Sequence, residues 1–246
     1  MDRVIYIAMT GAREVTRQQA AVSHNLANIS THGFKQELNV FRALPVVGEG
    51  AKTRAFVLET TPRSDFTSGA IQQTERPLDV AVRGPGWIAV QDANGQEAYT
   101  RMGHLQISQN GIMQTTNGLN VLGDAGPVAV PPDQELLIGK DGTVSTVPIG
   151  QNLNAVAIAG RIKLVNPAEI DLVRGEDGLF RQKSGQPAEA DANVSLISGA
   201  LESSNVNPAE AMVSMVSLAR QFEMQMRVIR AAEDNNRSAD KVLSAT

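Results

Sequence analysis

The chain of 246 residues carries 42% hydrophobic residues, enough for a core of ordinary size, so one compact unit with appendages is the first expectation. One Trp, two Tyr and six Phe against 21 Gly and 11 Pro favour turns and strands over an aromatic-lined small-molecule pocket. The 22 Lys and Arg against 26 Asp and Glu leave a net charge of −4, which disfavours nucleic acid and anionic membrane surfaces, and zero cysteines exclude thiolate catalysis, thiolate zinc sites and disulfides.

At the amino terminus Asp2, Arg3, Arg13, Glu14 and Arg17 interrupt every apolar run, so neither a cleaved secretion signal nor a membrane span is expected. Ile5, Ala8, Ala12, Val15, Val22, Leu26 and Ile29 repeat at alternating spacings of three and four, with Gln19 in the one polar slot, which predicts one long amphipathic helix. Asn28, Ser30, Thr31 and Gly33 place its end between Asn28 and Gly33.

From Phe34 to about Arg76 the pattern loosens, with extended segments at Leu38 to Leu44 and Ala55 to Thr60. This stretch reads as an extended connector or a long hairpin, and the residues leave that choice open.

Between Pro77 and about Leu201 the period changes to two. Leu78, Val80 and Val82 alternate with Asp79 and Arg83, followed by Trp87 to Gln91, Tyr99 to Met102, Leu105 to Ser108 and Ala157 to Val165. Five pairs, Asn94-Gly95, Asn110-Gly111, Asn117-Gly118, Asp141-Gly142 and Asp177-Gly178, supply the positive-φ residues of tight turns, which predicts an antiparallel all-β domain.

Asn207-Pro208 followed by Glu210 is a helix start, with a side-chain cap, a pre-set φ and an acidic first turn. Met212, Met215, Ala219, Phe222, Met226 and Ile229 then repeat at helical spacing; beyond Ile229 the stripe thins to Ala232, Ala239 and Leu243, so the end is expected to fray. The fold expected is multi-domain α+β. Residues 1–34 form a helix, 35–76 a connector or hairpin, 77–200 the β-domain and 201–246 a second helix that shares a coiled-coil layer with the first. A lone helix is marginal in water, so these stripes call for neighbours. The plainer alternative is that both helices fold back onto the β-domain as ordinary core helices. Their position at opposite ends of the chain favours pairing with each other.

Chemical motifs are few. Gly84-Pro85-Gly86-Trp87-Ile88-Ala89 has the letters of a dinucleotide fingerprint, but the residues that follow alternate as a strand where a helix amino terminus would have to receive the pyrophosphate. His24, His32 and His104 have no partner at metal-ligand spacing and read as surface or turn residues. Glu176-Asp177 precedes Gly178 and reads as turn chemistry rather than an acid and base pair. No catalytic residue, cofactor site or metal site is assigned.

Three stretches carry a resemblance. Asn25-Leu26-Ala27-Asn28-Ile29-Ser30-Thr31-His32-Gly33-Phe34-Lys35 resembles the amino-terminal signature of the bacterial flagellar rod and hook proteins. Tyr99-Thr100-Arg101-Met102-Gly103, with the glycine turns after it, is similar to their shared β-domain, although Met102 stands where members commonly have Asn. Leu201-Glu202-Ser203-Ser204-Asn205-Val206-Asn207-Pro208, leading to Met212 and Phe222, resembles their carboxyl-terminal signature. The opening Met1-Asp2-Arg3-Val4-Ile5-Tyr6 and the length look more like proximal than distal rod members.

The resemblance implies a structural subunit of the flagellar basal-body rod. Its terminal helices would line the axial channel as an inner coiled coil, poorly ordered before assembly, with the β-domain outside. Its partners would be other rod proteins, copies of itself and, during secretion without a cleaved signal, the flagellar type III export apparatus. No nucleic acid, small-molecule substrate or membrane span is implied. The expected interface comprises Ile5, Ala8, Ala12, Val15, Val22, Leu26, Met212, Met215, Ala219, Phe222, Met226 and Ile229. The alternatives are a distal rod protein, a transient capping factor, or an enzyme acting on the cell wall, the last of which would need paired carboxylates facing a cleft.

Overall fold

A computed structural model describes residues 2–45, 55–59, 63–131, 134–148 and 156–244. Residues 46–54 and 60–62, all within the expected connector, lie outside them, and with them Thr60 of the expected Ala55 to Thr60 segment. The chain divides into two units. One comprises Met1–Ile29, Gln36–Asp65 and Val206–Thr246, the other Ser30–Lys35 and Phe66–Asn205.

In the first unit, helix α1 (Asp2–Ala27) stops one residue short of the expected range because Asn28 caps it. The Asn28 main-chain N–H donates to the carbonyls of His24 (3.2 Å) and Asn25 (3.1 Å), and its Nδ2 donates to His24 O at 2.9 Å. The connector forms two antiparallel pairs, β1 (Glu37–Leu38) with β4 (Arg63–Ser64) and β2 (Phe41–Pro45) with β3 (Ala55–Glu59). Helix α2 (Pro208–Ser244) begins at the expected cap, where Asn207 Oδ1 accepts the amides of Ala209 (3.1 Å) and Glu210 (3.4 Å). It runs 37 residues as continuous helix, well past Ile229 where the apolar stripe thins.

Helix α1 packs against α2, β1 and β3. Ala8, Ala12 and Val15 are buried, and Gly11 faces the Gln225 side chain so closely that a β-carbon would sit 3.1 Å from its Nε2. Small residues along this face let the helices approach. The α1 stripe is therefore only partly covered within one chain, by α2, β1 and β3, and Val4, Tyr6 and Met9 beside it stay exposed.

The second unit is antiparallel throughout. Its strands are β5 (Ile71–Gln73), β6 (Val80–Arg83), β7 (Trp87–Gln91), β8 (Glu97–Thr100), β9 (Leu105–Ile107), β10 (Met113–Thr115), β11 (Asn120–Gly123) and β12 (Gly126–Pro127). They continue with β13 (Gln134–Ile138), β14 (Thr143–Pro148), β15 (Ala157–Arg161), β16 (Leu164–Val165), β17 (Leu172–Arg174), β18 (Phe180–Gln182), β19 (Ser195–Ser198) and β20 (Ala200–Glu202). The main sheet runs β17-β18-β8-β7-β11-β10-β9, with β12 on β11 and β16 on β7. Beside it stand β13-β14-β15, β19-β6 and β20-β5.

Each Asn-Gly or Asp-Gly pair joins two consecutive paired strands, with glycine φ from +73° to +84°. Strand β7 is buried on both faces. Ile88 and Val90 enter an aliphatic core with Val82, Leu105, Met113 and Val121, while Trp87 and Ala89 enter a second core with Tyr99 and Phe180. The Trp87 and Phe180 ring centroids lie 4.6 Å apart.

Two strand boundaries differ from the sequence reading. Strand β8 runs from Glu97 to Thr100 rather than from Tyr99 to Met102, because Thr100 Oγ1 accepts the Met102 amide at 3.1 Å and turns the chain. The Ala157 to Val165 run breaks in two because β15 pairs with β14 and β16 with β7, so Ile162 and Lys163 carry the chain between sheets. Gly84-Pro85-Gly86 turns from β6 into β7 with both glycines at positive φ. No helix follows it.

Candidate assembly site

The three signature stretches meet in the β unit around a buried carboxylate. Glu202 Oε1 accepts Lys35 Nζ at 2.7 Å and the Gly69 amide at 2.9 Å, and Oε2 accepts Arg101 Nη1 at 2.9 Å. All three charged residues are at most 3% exposed. Other donors of the cluster are used locally, except Arg101 Nε, which is buried without a hydrogen-bond partner. Lys35 Nζ also donates to Thr67 O at 2.7 Å and Arg101 Nη2 to Gly84 O at 2.7 Å, while the Arg101 guanidinium lies 5.4 Å from the Trp87 ring centroid.

Burial pushes the Glu202 carboxyl up, but the Arg101 charge and the Lys35 hydrogen bond and charge outweigh it and hold the group below its ordinary value. The carboxylate is therefore ionised at neutral pH. Such a cluster costs desolvation energy and adds little net stability over an apolar core, but breaking it strands charges; its value lies in fixing which segments sit together.

Main-chain bonds reinforce the arrangement. The Gly33 amide donates to Glu202 O at 2.8 Å, the Asn205 amide to Phe34 O at 3.4 Å, and Asn205 Nδ2 to Thr67 O at 3.1 Å. Gly33 has φ +70° and its missing β-carbon would lie 2.3 Å from the Arg101 carbonyl carbon and oxygen, so this position admits glycine alone. Phe34 is buried with the Arg174 guanidinium 4.5 Å from its ring centroid, and Arg174 Nη1 donates to Lys35 O at 3.0 Å. The stretches by which the chain enters and leaves the β unit are thus laced to one another.

The other motif residues, Ser204 apart, lie in the helical unit. Asn25 is buried and reads both main-chain groups of Glu37, donating from Nδ2 to its carbonyl and accepting its amide at Oδ1, each at 2.9 Å. Asn28 caps α1 and Asn207 caps α2. Leu26 is half-buried, Ala27 exposed, Val206 buried and Ser204 half-buried.

The expected interface residues divide. On α1, Ala8, Ala12 and Val15 are buried and Ile5, Val22 and Leu26 half-buried. On α2, Met215, Met226 and Ile229 are half-buried, whereas Met212, Ala219 and Phe222 are exposed. The helix buries Ala211 and Leu218 instead of Met212 and Ala219. Both sets satisfy the same spacing one residue apart, which is why spacing does not separate them. The consequence is an apolar face in water, with Met212 57%, Val213 71%, Val216 53% and Met224 56% exposed. The sequence signal for it was present but unused, since Val213 and Val216 add a second stripe beside the first.

Other charged groups serve the fold. Asp177 accepts the Leu179 amide at 3.1 Å and pairs with Arg181, which also donates to buried Asp92 at 2.7 Å. His24 lies 3.1 Å from Glu37 and His104 2.9 Å from Asp79, with the His32 ring centroid 6.5 Å from that of His104. Among the described residues no group of three or more His, Asp or Glu side chains is arranged to hold a metal ion, and no helix is long and apolar enough to cross a membrane.

The chain thus combines a unit of paired terminal helices with an antiparallel β unit whose buried lock joins the three signature stretches. Residues 5–35 match the flagella basal body rod protein family, 81–146 the flagellar hook protein FlgE/F/G D1 domain and 197–242 the flagellar basal body rod FlgEFG protein C-terminal family. The chain is 45% identical over 250 residues to the flagellar basal-body rod protein FlgF of Escherichia coli and 44% identical to that of Salmonella typhimurium, covering 99% of each chain. To the rod protein FlgG of Buchnera aphidicola it is 29% identical over 252 residues, covering 93% of this chain and 95% of that protein. The chain belongs to the flagellar basal-body rod proteins, on their FlgF branch.

Proposed function

We propose that this rod subunit builds the proximal part of the rod by packing its terminal helices against those of neighbouring subunits, as a coiled-coil inner layer with the β unit outside. The observation that carries this reading is the exposed α2 face of Met212, Val213, Val216 and Met224, which a single chain leaves in water. An apolar face of this kind is stabilised by burial against a partner, and the exposed Arg220 between Val216 and Met224 places a charge within it. Ala219 and Phe222 border it and extend the contact surface.

Copies of the chain and other rod proteins are the partners, and the chain reaches them through the flagellar type III export apparatus. It catalyses no reaction and takes no cofactor. The 45% identity to the FlgF of Escherichia coli over nearly the whole of both chains supports the proximal position over the distal one.

The test is charge substitution on this face. Val216→Asp and Phe222→Asp are expected to abolish incorporation into purified basal bodies and motility, while circular dichroism of the purified chain stays unchanged, because a buried unpaired charge costs several kcal/mol in an interface. Normal motility in both variants overturns the proposal. Absence of the wild-type chain from purified basal bodies overturns it in favour of a transient capping role.

A further inference from the structure

Three Asn-Gly pairs occupy exposed hairpin turns, at Asn94-Gly95, Asn110-Gly111 and Asn117-Gly118. In this pair the following main-chain nitrogen, unhindered by a side chain, can attack the asparagine Cγ. The N–Cγ bond forms, the Cγ–Nδ2 bond breaks and ammonia leaves; water then opens the cyclic imide at either carbonyl to give isoaspartate or aspartate. No cofactor is required, but the turn must swing out of its folded geometry to bring nitrogen and Cγ together.

All three turns close in the same way. The glycine amide donates to the carbonyl three residues earlier, at 3.0 Å to Asp92, 2.9 Å to Ser108 and 2.8 Å to Thr115. The side chain of that same residue accepts the amide following the glycine, at 2.8 Å from Gln96, 3.1 Å from Ile112 and 3.2 Å from Leu119.

All three turns carry further bonds, and in two of them these reach the Asn-Gly pair itself; in the third, Thr116 N and Oγ1 both donate to His104 O, at 3.2 and 3.0 Å, one residue before the pair. Asp92 Oδ1 also accepts the Asn94 amide at 2.9 Å, and Arg181 holds the other carboxylate oxygen at 2.7 Å. Gly111 O accepts the Val130 amide at 2.6 Å, and a β-carbon at Gly111 would lie 2.7 Å from Val130 O, so that turn is pressed against its neighbour. Around Gly118 nothing lies within 4 Å of the β-carbon position, and among the described residues no additional hydrogen bond reaches Asn117 or Gly118.

We infer that Asn117 is a site of spontaneous modification, converting to isoaspartate or aspartate in the folded chain ahead of Asn94 and Asn110. The product adds a negative charge, and as isoaspartate an extra main-chain carbon, to the turn between β10 and β11, whose register is set at Gln114 opposite Asn120.

The experiment is peptide mass mapping of the full chain after incubation in mildly alkaline buffer, with and without urea. In the folded chain Asn117 is expected to convert about fivefold or more faster than either other asparagine, the factor that one additional hydrogen bond supplies. In urea the three rates converge. Asn117→Gln is expected to remove the leading product while Asn94 and Asn110 keep their slow rates. Equal or faster conversion at Asn94 or Asn110 in the folded chain overturns the inference, as does persistence of the same ranking in urea.

Discussion

Lys35 Nζ and Glu202 Oε1 lie 2.7 Å apart with both side chains at most 1% exposed, although 167 positions separate them in the chain. The pair brings the amino-terminal and carboxyl-terminal signatures of the family into contact inside the β unit, with Arg101 of the central signature on the second carboxylate oxygen. Glu202→Gln would leave two buried cations facing a neutral amide. A loss of about 3–5 kcal/mol is expected, read as a lower urea midpoint for the β-unit transition.

Acid should act through the same groups. The folded-state carboxyl of Glu202 lies below its ordinary value despite burial, because Arg101 and Lys35 favour the charged form. Burial likewise pushes Asp92 up, and the Arg181 hydrogen bond with the Gln96 and Asn94 amides more than reverses it; the Arg181 hydrogen bond lowers Asp177. For groups lowered on folding, the stabilisation is complete above the unfolded-state value and is lost as pH falls through the folded-state value. Urea midpoints should therefore not change through these groups between neutral pH and about pH 5.5, then fall at lower pH. Glu202→Gln should start lower and lose less on acidification. A wild-type midpoint independent of pH down to about 3 would contradict the assignment.

Gly33 and Gly118 provide a matched comparison of backbone constraint. Both have positive φ, +70° and +81°, but only Gly33 lacks room for a β-carbon. Gly118→Ala should cost about 1–2 kcal/mol, the strain of the left-handed conformation alone. Gly33→Ala should cost clearly more, since the Arg101 carbonyl must also move. Thermal unfolding of the two variants distinguishes them, and equal losses would refute the steric account.

The two motif asparagines of the helical unit should separate by burial. Asn25→Ala leaves both Glu37 main-chain groups without their side-chain partner, an expected loss of about 1–3 kcal/mol. Asn207→Ala removes an exposed helix cap and should cost about 1 kcal/mol. Hydrogen exchange at α1 and at the first turn of α2 reports each loss locally, and a larger effect at Asn207 than at Asn25 would reverse the assignment.

The β unit was legible because its turns are chemical. Each Asn-Gly or Asp-Gly pair demands one glycine at positive φ, and the alternation between them assigns the strands. The cap at Asn207 was readable for the same reason, since all its partners lie within three residues. The Lys35, Arg101 and Glu202 cluster was not readable, although all three residues stand in the signature stretches. Nothing local couples a lysine, an arginine and a glutamate so far apart, and charged residues in isolation read as solvent-exposed. On α2 the difficulty was of another kind. Ala211 and Leu218 compete with Met212 and Ala219 for the same helical period, and only the position of α1 decides which pair is buried.

The central claim is that the exposed face of α2 is covered by neighbouring subunits in the rod. Because the chain has no cysteine, single substitutions Val216→Cys and Leu218→Cys each create one attachment point for a photo-crosslinker. In purified basal bodies Val216→Cys should crosslink to adjacent rod subunits, while Leu218→Cys, buried in its own chain, should give no intersubunit product. Incorporated subunits that crosslink to no neighbour from position 216 would contradict the account.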